Sequence, residues 1–233
     1  LGQNPRILQS GRHEPTFYEQ MWKTITATGH WHGDVWDRRK DGSIYPKYLS
    51  ISAIKNSSGA LTNYVGIFFD NSERHTLEER LDQLAHYDAL TGLPNRSLLL
   101  DRMEQAVERA IRLGTKVGLI YLDLDHFKHV NDSLGHSAGD QLLKAVAKRA
   151  KTCVRAVDTV ARLGGDEFII LLPQTGAKQA FLLAERIRNS VASTHLEAES
   201  SGLAVTLSIG VAEIKYTPND EVIEDVIRRA DLA

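Results

Sequence analysis

Arg162-Leu163-Gly164-Gly165-Asp166-Glu167-Phe168 stands between two β-like runs, Thr159 to Arg162 before it and Phe168 to Leu172 after it. Paired glycines between strands read as a tight hairpin, because glycine reaches positive φ and lets backbones approach closely. The hairpin presents two acidic residues, Asp166 and Glu167, at its tip. A second acidic cluster lies upstream in Tyr121-Leu122-Asp123-Leu124-Asp125-His126-Phe127-Lys128. There an apolar strand delivers carboxylates to its C-terminal edge, the ligand-binding edge of an open sheet. Side chains alternate along a strand, so Asp123 and Asp125 share a face if the strand extends that far. Carboxylate oxygens beside a Lys suit a hard cation and phosphate. Alone, the strand-end cluster reads more readily as a solvated acidic loop, and the hairpin as an ordinary Asp/Gly turn. Together they outline the two-carboxylate metal site of nucleotidyl transfer.

Working outward, helices and strands alternate. The pattern predicts helices over 96–114, 138–156, 177–193 and 220–233, and strands over 117–123 and 204–213. This is an α/β domain. Residues 1–70 are β-rich after one helix over 14–28, with Phe17, Met21, Trp22 and Ile25 on one stripe. Strands follow over 31–39, 44–55 and 64–69, separated by Asp41-Gly42 and Asn56-Ser57-Ser58-Gly59 turns. Trp31, Trp36, Phe68 and Phe69 are expected in the core rather than around a cofactor. Three antiparallel strands are too few for an independent closed core. Between the two regions, Ser72 to His86 reads as a charged helix, capped by Asn71 or Ser72. Its Leu77, Leu81 and Leu84 have coiled-coil spacing, though a solvated linker helix explains them as well.

The chain has 233 residues, 42% of them hydrophobic, and a net charge of −2. That supports one large or two small cores. It lacks the basic footprint of a nucleic-acid binder, so no nucleic-acid partner is expected. A single cysteine, Cys153, excludes an internal disulfide and a Cys-based zinc cluster. It is expected to be buried and reduced, in a cytoplasmic compartment. No apolar run approaches the roughly 20 residues that span a bilayer, and no signal peptide is visible. The sequence lacks an initiator Met and reads as an excised piece. Any membrane attachment would come through parts of the parent outside it.

The ordered motifs resemble the GGDEF family of diguanylate cyclases, whose signature stands here as Gly164-Gly165-Asp166-Glu167-Phe168. Asp88-Ala89-Leu90-Thr91-Gly92-Leu93-Pro94-Asn95-Arg96 resembles the family's opening segment. Its nucleotide-binding stretch is matched by Phe127-Lys128, Asn131-Asp132, Gly135-His136 and Gly139-Asp140. The resemblance implies two facing domains, a homodimer for catalysis, that join two GTP molecules into cyclic di-GMP. It implies Mg²⁺ (or Mn²⁺) held by Asp123, the Leu124 carbonyl and Asp166. Asn131 and Asp140 would read guanine, with His136 in the same segment. Lys128 would neutralise phosphate charge, backbone groups near His126 and Phe127 would cradle it, and Asp166 or Glu167 would serve as base. Arg155-Ala156-Val157-Asp158 stands at the spacing of the family's inhibitory product site, with Arg186 and Arg188 as further contacts.

The first 70 residues resemble the C-terminal part of a PAS sensor domain through Asn4-Pro5-Arg6, Trp22, Gly33, Arg38 to Ser43, Tyr64-Val65-Gly66 and Asp70. The expected organisation is a partial PAS domain over 1–70, a signalling helix over 71–86 and a GGDEF domain over 87–233, truncated at its C-terminus. A rival reading makes the GGDEF domain a GTP- or cyclic-di-GMP-binding regulator of a downstream phosphodiesterase domain in the parent.

Overall fold

The computed structural model describes residues 4–192 and 206–214. They fall into two units, Leu1–Asp82 and Gln83–Ala233. In the first, a 3₁₀ turn at Pro5–Leu8 precedes helix α1 (Pro15–Thr28) and strands β1 (His30–Arg38), β2 (Ile44–Lys55) and β3 (Leu61–Asp70). The strands form an antiparallel sheet in chain order, with Ile51 of β2 opposite Trp31 on one side and Gly66 on the other. Helix α1 begins on Pro15 and ends at Gly29, whose left-handed backbone lets its N–H reach the Ile25 carbonyl at 2.8 Å. Met21 and Ile25 are buried on Ile51, with Tyr18, Trp31 and Leu49 around them.

Two expectations for this unit are corrected. Trp22 is 43% exposed, because it sits one residue round the helix from Met21 and off the buried stripe. Phe68 and Phe69 are 54% and 64% exposed, because α1 packs on β1 and β2 and no residue of β3 is buried on either face. Lys47 and Asp37 instead form a buried ion pair, with the Lys47 ammonium 4.8 Å from the Phe68 ring centroid. Helix α2 (Ser72–His86) starts where the Ser72 N–H and Oγ donate to Asp70 Oδ1 at 3.0 and 2.6 Å. The side-chain acceptor there is Asp70, rather than Asn71 or Ser72. Hydrogen bonds from Ser72 and from Arg39 hold its carboxyl at about 2. Leu77, Leu81 and Leu84 are all exposed.

The second unit holds α3 (Arg96–Leu113), β4 (Val117–Leu124), α4 (Phe127–Leu134), α5 (His136–Cys153), β5 (Thr159–Gly164), β6 (Glu167–Pro173), α6 (Ala177–Ala192) and β7 (Leu207–Ile214). Its sheet runs β5-β6-β4-β7, every neighbour antiparallel. Central β4 is apolar almost throughout because both its faces are covered. Leu119 and Tyr121 meet Leu99 and Met103 of α3, while Ile120 and Leu122 meet Leu142 and Val146 of α5 and Ile187 of α6. Asn95 caps α3 by accepting from the Leu98 N–H at 3.1 Å. Helix α4 was not expected, and α5 starts at His136 rather than 138. Cys153 closes α5 only partly buried, a correction to its expected place in the core. Among the described residues no helix is long and apolar enough to cross a membrane. The helix expected over 220–233 lies outside the described residues. The fold class is α/β, with an antiparallel-sheet unit ahead of it.

Candidate active site

Gly165 and Asp166 turn the chain from β5 to β6, with Gly164 paired to Glu167. Gly165 has φ 51°, a conformation that side chains disfavour. The register shifts between Arg162 and Gly164, a bulge that re-aims the tip. Arg162 holds that tip. Its Nε and Nη2 donate to the Gly165 carbonyl at 3.0 and 2.6 Å. Its Nη1 donates to both carboxylate oxygens of Asp88 at 3.0 and 3.1 Å. Asp88 also accepts from the Thr91 N–H and hydroxyl at 2.9 and 2.5 Å. Burial alone would raise the Asp88 carboxyl, but the bonds from Thr91 and Arg162 hold it below the ordinary carboxylate value. Sequence reasoning quoted both residues within motifs and assigned neither a task.

The end of β4 lies along the same sheet edge. Leu122 pairs with Phe168 of β6, and Asp123 with Ser208 of β7, so Asp123 and Leu124 run alongside Glu167 and Asp166. Asp123, Asp166 and Glu167 are partly buried, and Leu124 is buried. Glu167 accepts from the Tyr121 hydroxyl at 2.5 Å, which ties one of its oxygens to the core face. Asp125 faces another way in its bonding: it accepts from Ser208 and Thr206 hydroxyls at 2.6 and 2.5 Å, which lower its pKa. It fastens β7 to the end of β4. Among the described residues no three His, Cys, Asp or Glu side chains group as a metal cage. Two carboxylates at one edge suit Mg²⁺ nonetheless, since that ion commonly takes one or two carboxylates and completes its shell with water and substrate phosphate.

Helix α4 leaves this edge directly. His126, its N-cap, is left-handed at φ 59°, and the first intrahelical bond runs from the His129 N–H to the His126 carbonyl at 2.8 Å. The Phe127 and Lys128 amides precede that bond, the arrangement in which helix N-termini receive anions. His126, Lys128, His129 and Asp132 line a pocket of about 350 Å³ there. Phe127 packs partly buried on the core and Lys128 is exposed. Asn131 is partly buried in α4, while His136 and Asp140 are exposed on the first turns of α5. Gly135 alone joins the two helices.

Arg155 and Asp158 sit beyond β5 from this edge. The Arg155 N–H donates to Asp158 Oδ2 at 2.8 Å, and the Asp158 N–H to the Arg155 carbonyl at 3.1 Å. Asp158 Oδ1 is buried without a hydrogen-bond partner among the described residues. A pocket of about 160 Å³ lies beside it, lined among others by Cys153, Arg155, Thr175 and Arg186. Arg188 faces elsewhere, paired with Glu185 at 2.9 Å.

A single antiparallel sheet covered by helices on both faces, with an acidic hairpin tip beside the N-terminus of a short helix, makes an α/β domain. The family described as "Diguanylate cyclase, GGDEF domain" matches residues 85–233, and a PAS domain family matches residues 1–73. The chain belongs to the GGDEF family, with a PAS domain ahead of it. It is 41% identical over 166 residues to diguanylate cyclase DgcM of Escherichia coli, covering 71% of this chain and 39% of that protein. It is 42% identical over 185 residues to the bifunctional diguanylate cyclase/cyclic di-GMP phosphodiesterase MucR of Pseudomonas aeruginosa, covering 79% of this chain and 26% of that protein. Among solved structures, the coiled coil and GGDEF domain of DgcB from Caulobacter crescentus, in complex with c-di-GMP, matches at 36% identity and TM-score 0.60. That match covers 70% of this chain and 87% of that one. The chain thus spans less than half the length of these two curated relatives.

Proposed function

We propose that the GGDEF unit joins two GTP molecules into cyclic di-GMP and two pyrophosphates, under control of the PAS unit. The observation that carries this reading is the single sheet edge shared by Asp123, Leu124 and the Asp166 turn, with the α4 N-terminus beside it. Asp123, the Leu124 carbonyl and Asp166 would hold Mg²⁺ or Mn²⁺, which supplies Lewis-acid stabilisation of charge on the reacting phosphate. Lys128 and the first amides of α4 receive phosphate oxygens. Asn131, Asp140 and the neighbouring His136 receive the base: a carboxylate accepts from both guanine N1–H and the 2-amino group, which adenine does not offer in that arrangement. Asp166, or Glu167, takes the proton of the attacking 3′-hydroxyl. Two domains face each other, each with one GTP, so catalysis needs a homodimer. Residues 1–70 sense, 71–86 transmit and 87–233 catalyse, in the cytoplasm.

Product feeds back at Arg155 and Asp158. The pocket lined by Arg155, Asp158 and Arg186 supports this, since it sets guanidinium groups beside a carboxylate. A second reading, regulation of a phosphodiesterase domain elsewhere in the parent, draws on the likeness to the bifunctional relative. Incubation with GTP and Mg²⁺, with and without a chelator, followed by chromatography, separates the two. Metal-dependent cyclic di-GMP supports the cyclase, and GTP bound yet unconsumed supports the regulator.

A further inference from the structure

Gly139 is a buried residue of α5 with a neighbour where its side chain would be. A Cβ built there would stand 2.0 Å from Asn131 Oδ1, 3.0 Å from Asn131 Cγ and 3.2 Å from Phe127 Cζ. Carbon and oxygen do not approach to 2.0 Å without bonding, so no side chain coexists with the Asn131 amide as it lies. Phe127 and Asn131 are four residues apart and share one face of α4, the face laid on α5. Glycine inside a helix is less stable than alanine, and Gly139 is not among the glycines with positive φ. Its need is for space, not for backbone freedom.

We infer that Gly139 is a positioning residue for guanine recognition: the space left by its missing side chain holds the Asn131 amide in its binding orientation. The inference rests on the reading of Asn131 as a guanine contact. The colliding atoms are the far ends of side chains, so a methyl group at 139 displaces the amide and leaves the two helices in place. Such a change alters recognition more than stability. Asp140, the next residue along α5, is the other proposed guanine contact, so the space at 139 sets the two groups against each other.

The test is GTP affinity, measured by calorimetry on the wild type, Asn131→Ala, Gly139→Ala and the double variant, with thermal unfolding of each. Loss of one hydrogen-bonding partner weakens GTP by roughly tenfold in each single variant. The double variant then loses no more than either single one, because the same amide is lost only once. If Asn131→Ala binds GTP normally, the reading of Asn131 fails and takes the inference with it. If Asn131→Ala weakens binding while Gly139→Ala does not, or if the two losses multiply, Gly139 only spaces the helices and the inference is overturned. Should Gly139→Ala unfold, the double variant decides. Recovery of the wild-type midpoint supports the contact, and continued unfolding overturns it.

Discussion

Arg162 Nη1 donates to both oxygens of Asp88, at 3.0 and 3.1 Å, across 74 residues of sequence. The same guanidinium grips the carbonyl of Gly165 in the turn that carries Asp166. One arginine therefore fixes the acidic tip to the opening segment of the domain.

Arg162→Ala should lower the stability of the GGDEF unit by about 1–3 kcal/mol, since it strands a partly buried carboxylate. Turnover should fall further, because Asp166 loses its tether. Arg162→Lys should not restore it, as an ammonium lacks the fork that serves two partners. The Asp88 carboxyl is lowered in the fold, so its contribution is complete above the ordinary carboxylate value and is lost as pH falls through the folded one. Asp88→Asn should flatten that acid limb. Denaturation against pH and initial rates check this, and a Lys variant with wild-type rate contradicts it.

Lys47 and Asp37 are 5% and 6% exposed at their side chains. Lys47→Met should cost the PAS unit about 3–5 kcal/mol by leaving Asp37 buried without its partner. Replacing both residues with apolar ones of similar size should recover most of that loss. All three tryptophans, Trp22, Trp31 and Trp36, lie in this unit, so their fluorescence follows its unfolding directly. Equal midpoints for wild type and Lys47→Met would refute the prediction.

Arg155→Ala should remove product inhibition and leave the initial rate nearly unchanged. Cyclic di-GMP offers guanines and phosphates that match an Arg fork and a carboxylate acceptor. Its occupancy would hold two domains where their GTP sites do not meet, which is inhibition by population shift. Calorimetry with cyclic di-GMP, with GTP as control, reads the effect. Equal product affinity in both proteins would reduce Arg155 and Asp158 to a turn.

Much of this was legible in the sequence. Strand β2 runs over 44–55 as the flanking turns predict, with Ile51 inward, and the apolar run of β4 marks a strand covered on both faces. Asn95 and Gly114 bound α3 as capping chemistry requires. Helix α4 was hidden because its eight residues include Asn131-Asp132-Ser133, a turn-forming run, and tertiary support on α5 overrides that local preference. The exposure of Phe68 and Phe69 follows from where α1 packs, on β1 and β2, which local hydrophobicity does not encode. The Arg162–Asp88 clamp had no local signature, because its partners are distant in sequence. Asp125 looked like a companion of Asp123, and only the hydroxyls of Thr206 and Ser208 show that its carboxylate is engaged there.

If the carboxylate of Asp166, at the hairpin tip, makes this edge a reaction centre, its removal should stop the chemistry. The most direct measurement is the initial rate of cyclic di-GMP formation from GTP and Mg²⁺ by the wild type and Asp166→Asn, with pyrophosphate quantified alongside. The wild type should release two pyrophosphates per cyclic di-GMP. The variant should lose about a hundredfold or more of its rate, with its unfolding midpoint unchanged. Near-normal turnover by Asp166→Asn would contradict it.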